Sequence, residues 1–113
     1  MHEMSLAEEV MQIIQEAALR QSFARVKTVW LEIGQLACVE QAAFRFCFDI
    51  LTRDSIAQQA RLEILEISGL GWCHSCAQEV PMTTLHDVCF RCGRYGLVVL
   101  SGDDLRVKEL EVE

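Results

Sequence analysis

The chain has 113 residues, half of them hydrophobic (51%), with 10 Lys and Arg against 17 Asp and Glu, a net charge of −7. That length gives one main domain with room for a small appended module, and that apolar content excludes a disordered chain. The acidic balance argues against nucleic acid as a partner, because nonspecific affinity for it comes from cationic neutralisation of phosphates.

Ser5-Leu6-Ala7-Glu8 reads as a capping box, with Leu6, Val10, Ile13, Ile14 and Ala17 behind it on one helical face. The spacing predicts a helix from about Leu6 to Gln21, with residues 1–4 as a short exposed lead. Val26 to Ile33, ending at Gly34, alternates as a strand: Val29, Leu31 and Ile33 share one side, Thr28, Trp30 and Glu32 the other. Ala43, Phe44, Cys47, Phe48 and Leu51 recur at helical spacing and predict a second helix over Val39–Thr52. Arg61 to Ser68 reads as a strand with Leu62, Ile64 and Ile67 inward. Gly69 and Gly71 punctuate the chain before a cysteine cluster, and Gly102-Asp103-Asp104 marks a second break. Leu105 to Glu113 is a last strand whose apolar phase changes between Val107 and Leu110, as at a bulge.

These elements predict an α+β fold: a small three-stranded sheet with two helices, plus an inserted zinc-ribbon-like four-cysteine domain. The sheet needs the last strand, so the expected boundaries are 1–68 with 103–113 for the main domain and 69–102 for the insert. No basic-then-apolar leader follows Met1-His2-Glu3, and no segment is long enough to span a bilayer. A cytoplasmic location is therefore expected. In a reducing compartment six cysteines suggest metal ligands or core residues rather than disulfides.

The insert carries Cys73-x-x-Cys76, twelve residues, then Cys89-x-x-Cys92. Two thiolates three positions apart grip one face of a tetrahedral ion, and a second pair completes the shell. Gly93 follows the second pair, where a knuckle turn needs backbone freedom. Few apolar residues lie between the pairs, mainly Val80, Met82, Leu85 and Val88, so metal must supply much of this region's folding free energy. Rubredoxin-like iron uses the same ligands, but no feature argues for electron transfer and Zn(II) is favoured. A four-thiolate shell has no open position, which makes the zinc structural rather than catalytic. A thioredoxin-like pair is not indicated, because its strand and helix context is missing.

The N-terminus offers a second, different donor set. The α-amine of Met1, a deprotonated amide nitrogen of His2 and the His2 imidazole occupy consecutive positions. They can close fused five- and six-membered rings about one ion, a planar nitrogen-rich arrangement that suits Ni(II) or Cu(II). The bulk of His2 should also protect Met1 from removal and fix the amine. Any Met-His start carries these donors, so the signal is not specific alone. Neither the zinc shell nor the rest of the chain offers a nucleophile–base signature, and no enzyme is expected.

With Met1-His2-Glu3, Val29-Trp30-Leu31-Glu32-Ile33-Gly34, Cys38-Val39-Glu40, Phe46-Cys47-Phe48 and both Cys-x-x-Cys pairs, the chain resembles the HypA/HybF family of nickel-incorporation proteins for [NiFe] hydrogenase maturation, closest to the HybF branch. The resemblance covers essentially the whole chain. It implies a nickel metallochaperone that ligates Ni(II) through the N-terminal amine, the backbone at His2 and Glu3, and the His2 imidazole. It implies cooperation with a HypB-type GTPase and delivery to the hydrogenase large-subunit precursor, with no membrane partner. It also places an acidic residue, Glu40, near the nickel. By position alone Glu40 falls in the first turn of the second helix, where the helix dipole favours a carboxylate anyway. The chain departs from the family pattern at Phe90, where relatives often have proline, and at Ala37, where serine is common. The competing reading is a zinc-ribbon nucleic-acid-binding or regulatory module, which would want a basic face. His74 and His86 flank the cysteines as exposed or supporting groups, Cys47 belongs to its helix's apolar face, and Trp72 abuts Cys73.

Overall fold

The computed structural model describes residues 2–113. Its elements are α1 (Glu3–Gln21), β1 (Val26–Gly34), one 3-10 turn (Gln35–Ala37), α2 (Gln41–Thr52), β2 (Arg61–Ile67), β3 (Gly69–Cys73), β4 (Gln78–Met82), β5 (Val98–Ser101) and β6 (Leu105–Val112). Two three-stranded sheets form, one in the order β2-β1-β6 and one in the order β4-β3-β5. The architecture is the expected α+β arrangement of two helices, a three-stranded sheet and a cysteine module. The second sheet was not foreseen.

The chain divides into two compact units. The first comprises the chain up to Leu31, Val39–Ile64 and Val107–Glu113; the second comprises Glu32–Cys38 and Leu65–Arg106. In the first unit α1 packs on α2. Ala7, Val10, Ile14, Val29, Leu31, Phe44 and Phe48 are buried, and the two phenylalanine rings stack with centroids 6.0 Å apart. Full burial of one such side chain is worth about 1.5–3 kcal/mol, a large fraction of the roughly 5–15 kcal/mol net stability of a domain. Thr28 is buried although its alternation points it away from the core side; its hydroxyl donates to Glu111 Oε1 at 2.7 Å, which satisfies it.

The start of α1 departs from the sequence reading. The helix begins at Glu3, two residues ahead of Ser5, with His2 at the N-cap and no side-chain cap. Leu6 N–H already donates to the His2 carbonyl at 2.9 Å. The capping box is therefore not formed, and Ser5 and Glu8 are simply exposed helical residues. The reason is tertiary. Glu3 is buried, and its carboxylate accepts from the Glu40 backbone N–H at 3.1 Å, holding the first turn in place. Glu3 and Met4 thus belong to the helix, and Glu3 is buried, rather than forming an exposed lead. Ile13 is 45% exposed, while Ala7 and Met11 occupy the buried face instead.

In the second unit, Gly69 and Gly71 do not punctuate the chain. Both are buried within β3. Gly69 pairs with Met82 across an antiparallel ladder. A Cβ on Gly69 would strike the Met82 carbonyl and lie 2.7 Å from Leu36 Cγ. Gly69→Ala is therefore expected to destabilise this unit by about 1–3 kcal/mol through forced backbone displacement. The check is urea unfolding of the zinc-loaded protein; an unchanged midpoint would mean that β3 and β4 part freely at this pair.

Candidate metal centres

Cys73 ends β3 and Cys76 sits in the turn that leads to β4, where Ala77 takes a left-handed φ of 52° to close the hairpin. Cys89 and Cys92 lie on a second turn. There Gly93 donates to the Cys89 carbonyl at 2.7 Å, and Cys89 N–H donates to the Arg94 carbonyl at 3.0 Å. Gly93 has φ 72°, a conformation glycine adopts without steric cost. Arg91 N–H donates to Cys89 Sγ at 3.4 Å.

The four sulfurs lie within 4.8 Å of one another. Cys73 Sγ is 3.7 Å from Cys92 Sγ, and Cys76 Sγ is 3.9 Å from Cys89 Sγ. A regular tetrahedron with Zn–S bonds of about 2.3 Å has S···S edges of about 3.8 Å. The sulfurs are too far apart for disulfides, whose S–S bond is about 2.05 Å. The residues therefore fit a Zn(II) ion in four-thiolate coordination. Held there, zinc would tie two turns together and leave no position for substrate.

Electrostatics set the thiols apart. Burial pushes the Cys76 thiol up to about 12, with its hydrogen bonds to Cys92, Cys73 and Cys89 adding to the rise. The backbone N–H of Cys92, followed by that of Arg91, draws Cys89 down to about 7. One thiol is thus prepared to ionise while another resists. A divalent cation held at the centre would take all four as thiolates and release their protons. Cys73, Val80 and Cys89 form a buried cluster of this unit, with Cys76 and Leu97 packed against it, so the ligands are themselves part of the core.

At the other end of the chain, Met1 lies outside the described residues. His2 is exposed at the head of α1, with Nδ1 4.0 Å from Glu3 Oε2. The hydrogen bond from the Glu40 amide draws the Glu3 carboxyl below its usual range, against the opposing effect of burial. Glu40 is the N-cap of α2 rather than a first-turn residue. Its two carboxylate oxygens accept from Ala42 N–H at 3.2 Å and Ala43 N–H at 2.8 Å. The structure thus brings Glu3 and Glu40 together, through backbone on one side and carboxylate on the other. Sequence inspection offers no signal for that link, since the two are 37 positions apart. His74 and His86 are exposed and, among the described residues, stand outside the sulfur cluster. Cys38 is exposed at φ 56°, and Cys47 is half-buried on α2.

Residues 1–112 match the protein family described as hydrogenase/urease nickel incorporation, metallochaperone, hypA. The chain belongs to the HypA family. It is 58% identical to the hydrogenase maturation factor HypA of Albidiferax ferrireducens, 55% to that of Azotobacter chroococcum and 51% to that of Azotobacter vinelandii, with all of both chains covered in each case. Its fold matches the solution structure of the Ni metallochaperone HypA from Helicobacter pylori with a TM-score of 0.75 at 22% identity, over 99% of this chain and 97% of that one. Members of the HypA family are metallochaperones for nickel incorporation. They carry metal rather than catalyse a reaction, and the four-cysteine centre, with no open position, is in keeping with that role.

Proposed function

We propose that this chain is the nickel carrier of hydrogenase maturation in its cytoplasm. It takes Ni(II) through the Met1 α-amine, backbone nitrogen at His2 and Glu3, and the His2 imidazole, and passes it to the hydrogenase large-subunit precursor with a HypB-type GTPase. The structural zinc is held by Cys73, Cys76, Cys89 and Cys92. The observation that carries this reading is family membership over nearly the whole chain together with an exposed His2 at the head of α1. The three relatives above are named hydrogenase maturation factors, which favours hydrogenase over urease as the destination.

The geometry suits a carrier. His2 is exposed, so bound metal stays within reach of an acceptor. Glu3, by contrast, is buried and already accepts the Glu40 N–H, so its carboxylate serves to anchor the peptide just behind the donors. Glu40 acts as a positioning residue: it caps α2 with its carboxylate and holds Glu3 with its amide. The zinc-ribbon nucleic-acid reading gains nothing from a chain of net charge −7.

The test is an equilibrium titration of tag-free, zinc-loaded protein with Ni(II), alongside hydrogenase maturation at native expression level. One nickel per chain is expected, at a site separate from zinc. Glu40→Gln is expected to cost about 1 kcal/mol of stability as a weakened cap and to impair maturation beyond that loss. Normal maturation by this variant would reduce Glu40 to a helix cap, and a wild-type chain that binds no nickel would remove the carrier reading.

A further inference from the structure

The sheet β4-β3-β5 is apolar on both of its sides. Where an antiparallel sheet has one side in a core and the other in water, its strands alternate apolar with polar residues. These strands do not: β5 opens with Val98-Val99-Leu100, a run without alternation. On the inner side Cys73, Val80 and Met82 are buried against the two glycines of β3. The outer side carries Leu70 and Trp72 from β3, Pro81 from β4, and Val98 and Leu100 from β5. The strand register joins them into one surface. Trp72 stands directly opposite Val98, Leu70 directly opposite Pro81, and Leu100 follows Val98 by two residues on the same side of β5. Leu70 and Trp72 are half-buried, Pro81 is exposed, and Val98 and Leu100 are each 48% exposed. An apolar sheet side left open in this way marks an interaction surface.

The charge along this surface is negative. Glu79 is exposed and stands directly opposite Trp72 on the β4 side, so one row runs Glu79–Trp72–Val98 across the three strands. Leu100 also lines a cleft of about 300 Å³ whose charged residues are Glu32, Asp103, Asp104 and Arg106. Arg106 donates to Glu32 at 3.3 Å, which cancels that pair and leaves the exposed Asp103 and Asp104 as net charge. Arg91 does not offset Glu79. It donates to Gln78, which pairs with Cys73 and so shares the inner side of the sheet. Size narrows the occupant further. Strands about 4.8 Å apart, with same-side residues about 7 Å apart along each, give an apolar area about 10 Å by 7 Å. That accepts a few side chains of a chain segment and falls well short of the about 800 Å² per partner of a folded protein interface.

We propose that the outer side of this sheet docks a short segment of a partner protein that carries both apolar and basic side chains. The apolar side chains cover Trp72, Val98 and Leu100. The Lys or Arg side chains meet Asp103 and Asp104 in the cleft and Glu79 on the far strand. Tryptophan is a residue type that carries binding energy at such contacts, while charges at the rim set orientation and exclude partners of like sign. An acidic segment is excluded here by the same carboxylates. Neither nickel nor the N-terminus takes part, so the failure of this proposal and that of the carrier reading are separable.

The test is a selection from a random twelve-residue peptide library on zinc-loaded, nickel-free protein. Binders are then measured by fluorescence anisotropy and mapped by amide NMR shifts. Selected sequences should combine Lys or Arg with Leu, Val or an aromatic residue and perturb residues 70–72, 79–81 and 98–104. Asp103→Lys with Asp104→Lys should weaken them by about tenfold at low salt. Glu8→Lys with Glu9→Lys makes the same change of net charge on the exposed side of α1 and should leave affinity unchanged. Val98→Thr with Leu100→Thr keeps strand-forming residues in β5 or removes only apolar surface, and should weaken binding as well. Unchanged zinc content and an unchanged peptide-free spectrum for β3–β5 show that each variant is folded; if the threonine pair fails that check, the two lysine variants decide. No enrichment, enrichment of acidic sequences, equal losses in both lysine variants, or shifts confined to other elements would overturn the proposal. So would shifts at this face that follow the protein's own concentration without peptide, which would assign it to a second copy of the chain.

Discussion

Replacing Cys89 by alanine is expected to empty the zinc centre and unfold the second unit while most of the protein's helicity remains. The asymmetry follows from where each element gets its stability. Both helices, α1 of 19 residues and α2 of 12, belong to the first unit and pack on each other. The second unit is held differently: around the metal centre its buried cluster is two of the four ligands plus Val80, flanked by Cys76 and Leu97, and beyond them only Ile33, Leu36 and Met82 are buried apolar side chains among the described residues. Four-cysteine zinc sites contribute about 10–16 kcal/mol of apparent folding free energy in small domains, comparable to the roughly 5–15 kcal/mol total stability of a whole domain. A unit with so little other interior does not survive that loss. Wild type should contain one zinc per chain by metal analysis. Cys89→Ala, and equally Cys73→Ala, should contain none, keep most of the ellipticity at 222 nm, and lose amide dispersion for residues 70–100. A zinc-free variant that keeps a dispersed spectrum there would show that β3–β5 fold on packing alone.

Much of this was legible in the sequence, and the reason is locality. Cys-x-x-Cys constrains four residues at a time, and two such turns define a tetrahedron whatever lies between them; the 3.7 and 3.9 Å sulfur separations are what that chemistry requires. The periodicity of α2 likewise located Phe44 and Phe48 on the buried face. Failures occurred where distant residues decide. Ser5 and Glu8 carry a sound local cap signal, yet Glu3, held by the Glu40 amide, extends the helix past it. Gly69 and Gly71 look like breaks because glycine usually marks turns. Here they allow Met82 to lie against β3, a packing reason that a single strand cannot display. Gln78 to Met82 alternates correctly, with Val80 and Met82 buried, but it is short and contains Pro81, which hides it as a strand. Pro81 is exposed on β4, which lies at a sheet edge, as proline in a strand must.

The N-terminus should be the most sensitive point in the molecule. The proposed nickel chelate needs a free α-amine, an ionisable amide at position two and an imidazole directly after it, and each can be removed separately. His2→Ala deletes the imidazole and is expected to abolish nickel binding. Loss of a direct ligand should exceed the roughly 10–100-fold cost of losing a supporting group. The fold should persist, though not because the segment is detached. His2 caps α1 through its backbone carbonyl, which accepts Leu6 N–H at 2.9 Å, and its side chain makes no cap hydrogen bond. Alanine keeps that carbonyl, and Glu3 keeps its bond to Glu40. Zinc content should likewise be unchanged. One residue added ahead of Met1 is the sharper experiment, because it preserves every side chain and moves only the amine by one peptide unit. The ring sizes and the donor set of the chelate then change. Nickel affinity should fall, the planar d–d absorption should shift, and hydrogenase maturation should weaken, with circular dichroism unaltered. If the extended protein binds nickel with the native spectrum and affinity, the amine is no ligand. Ligation would then rest on side chains, and Glu3→Gln would be the next variant: a carboxylate ligand would be lost with it, whereas a pure anchor would lower the stability of α1 and spare the nickel spectrum.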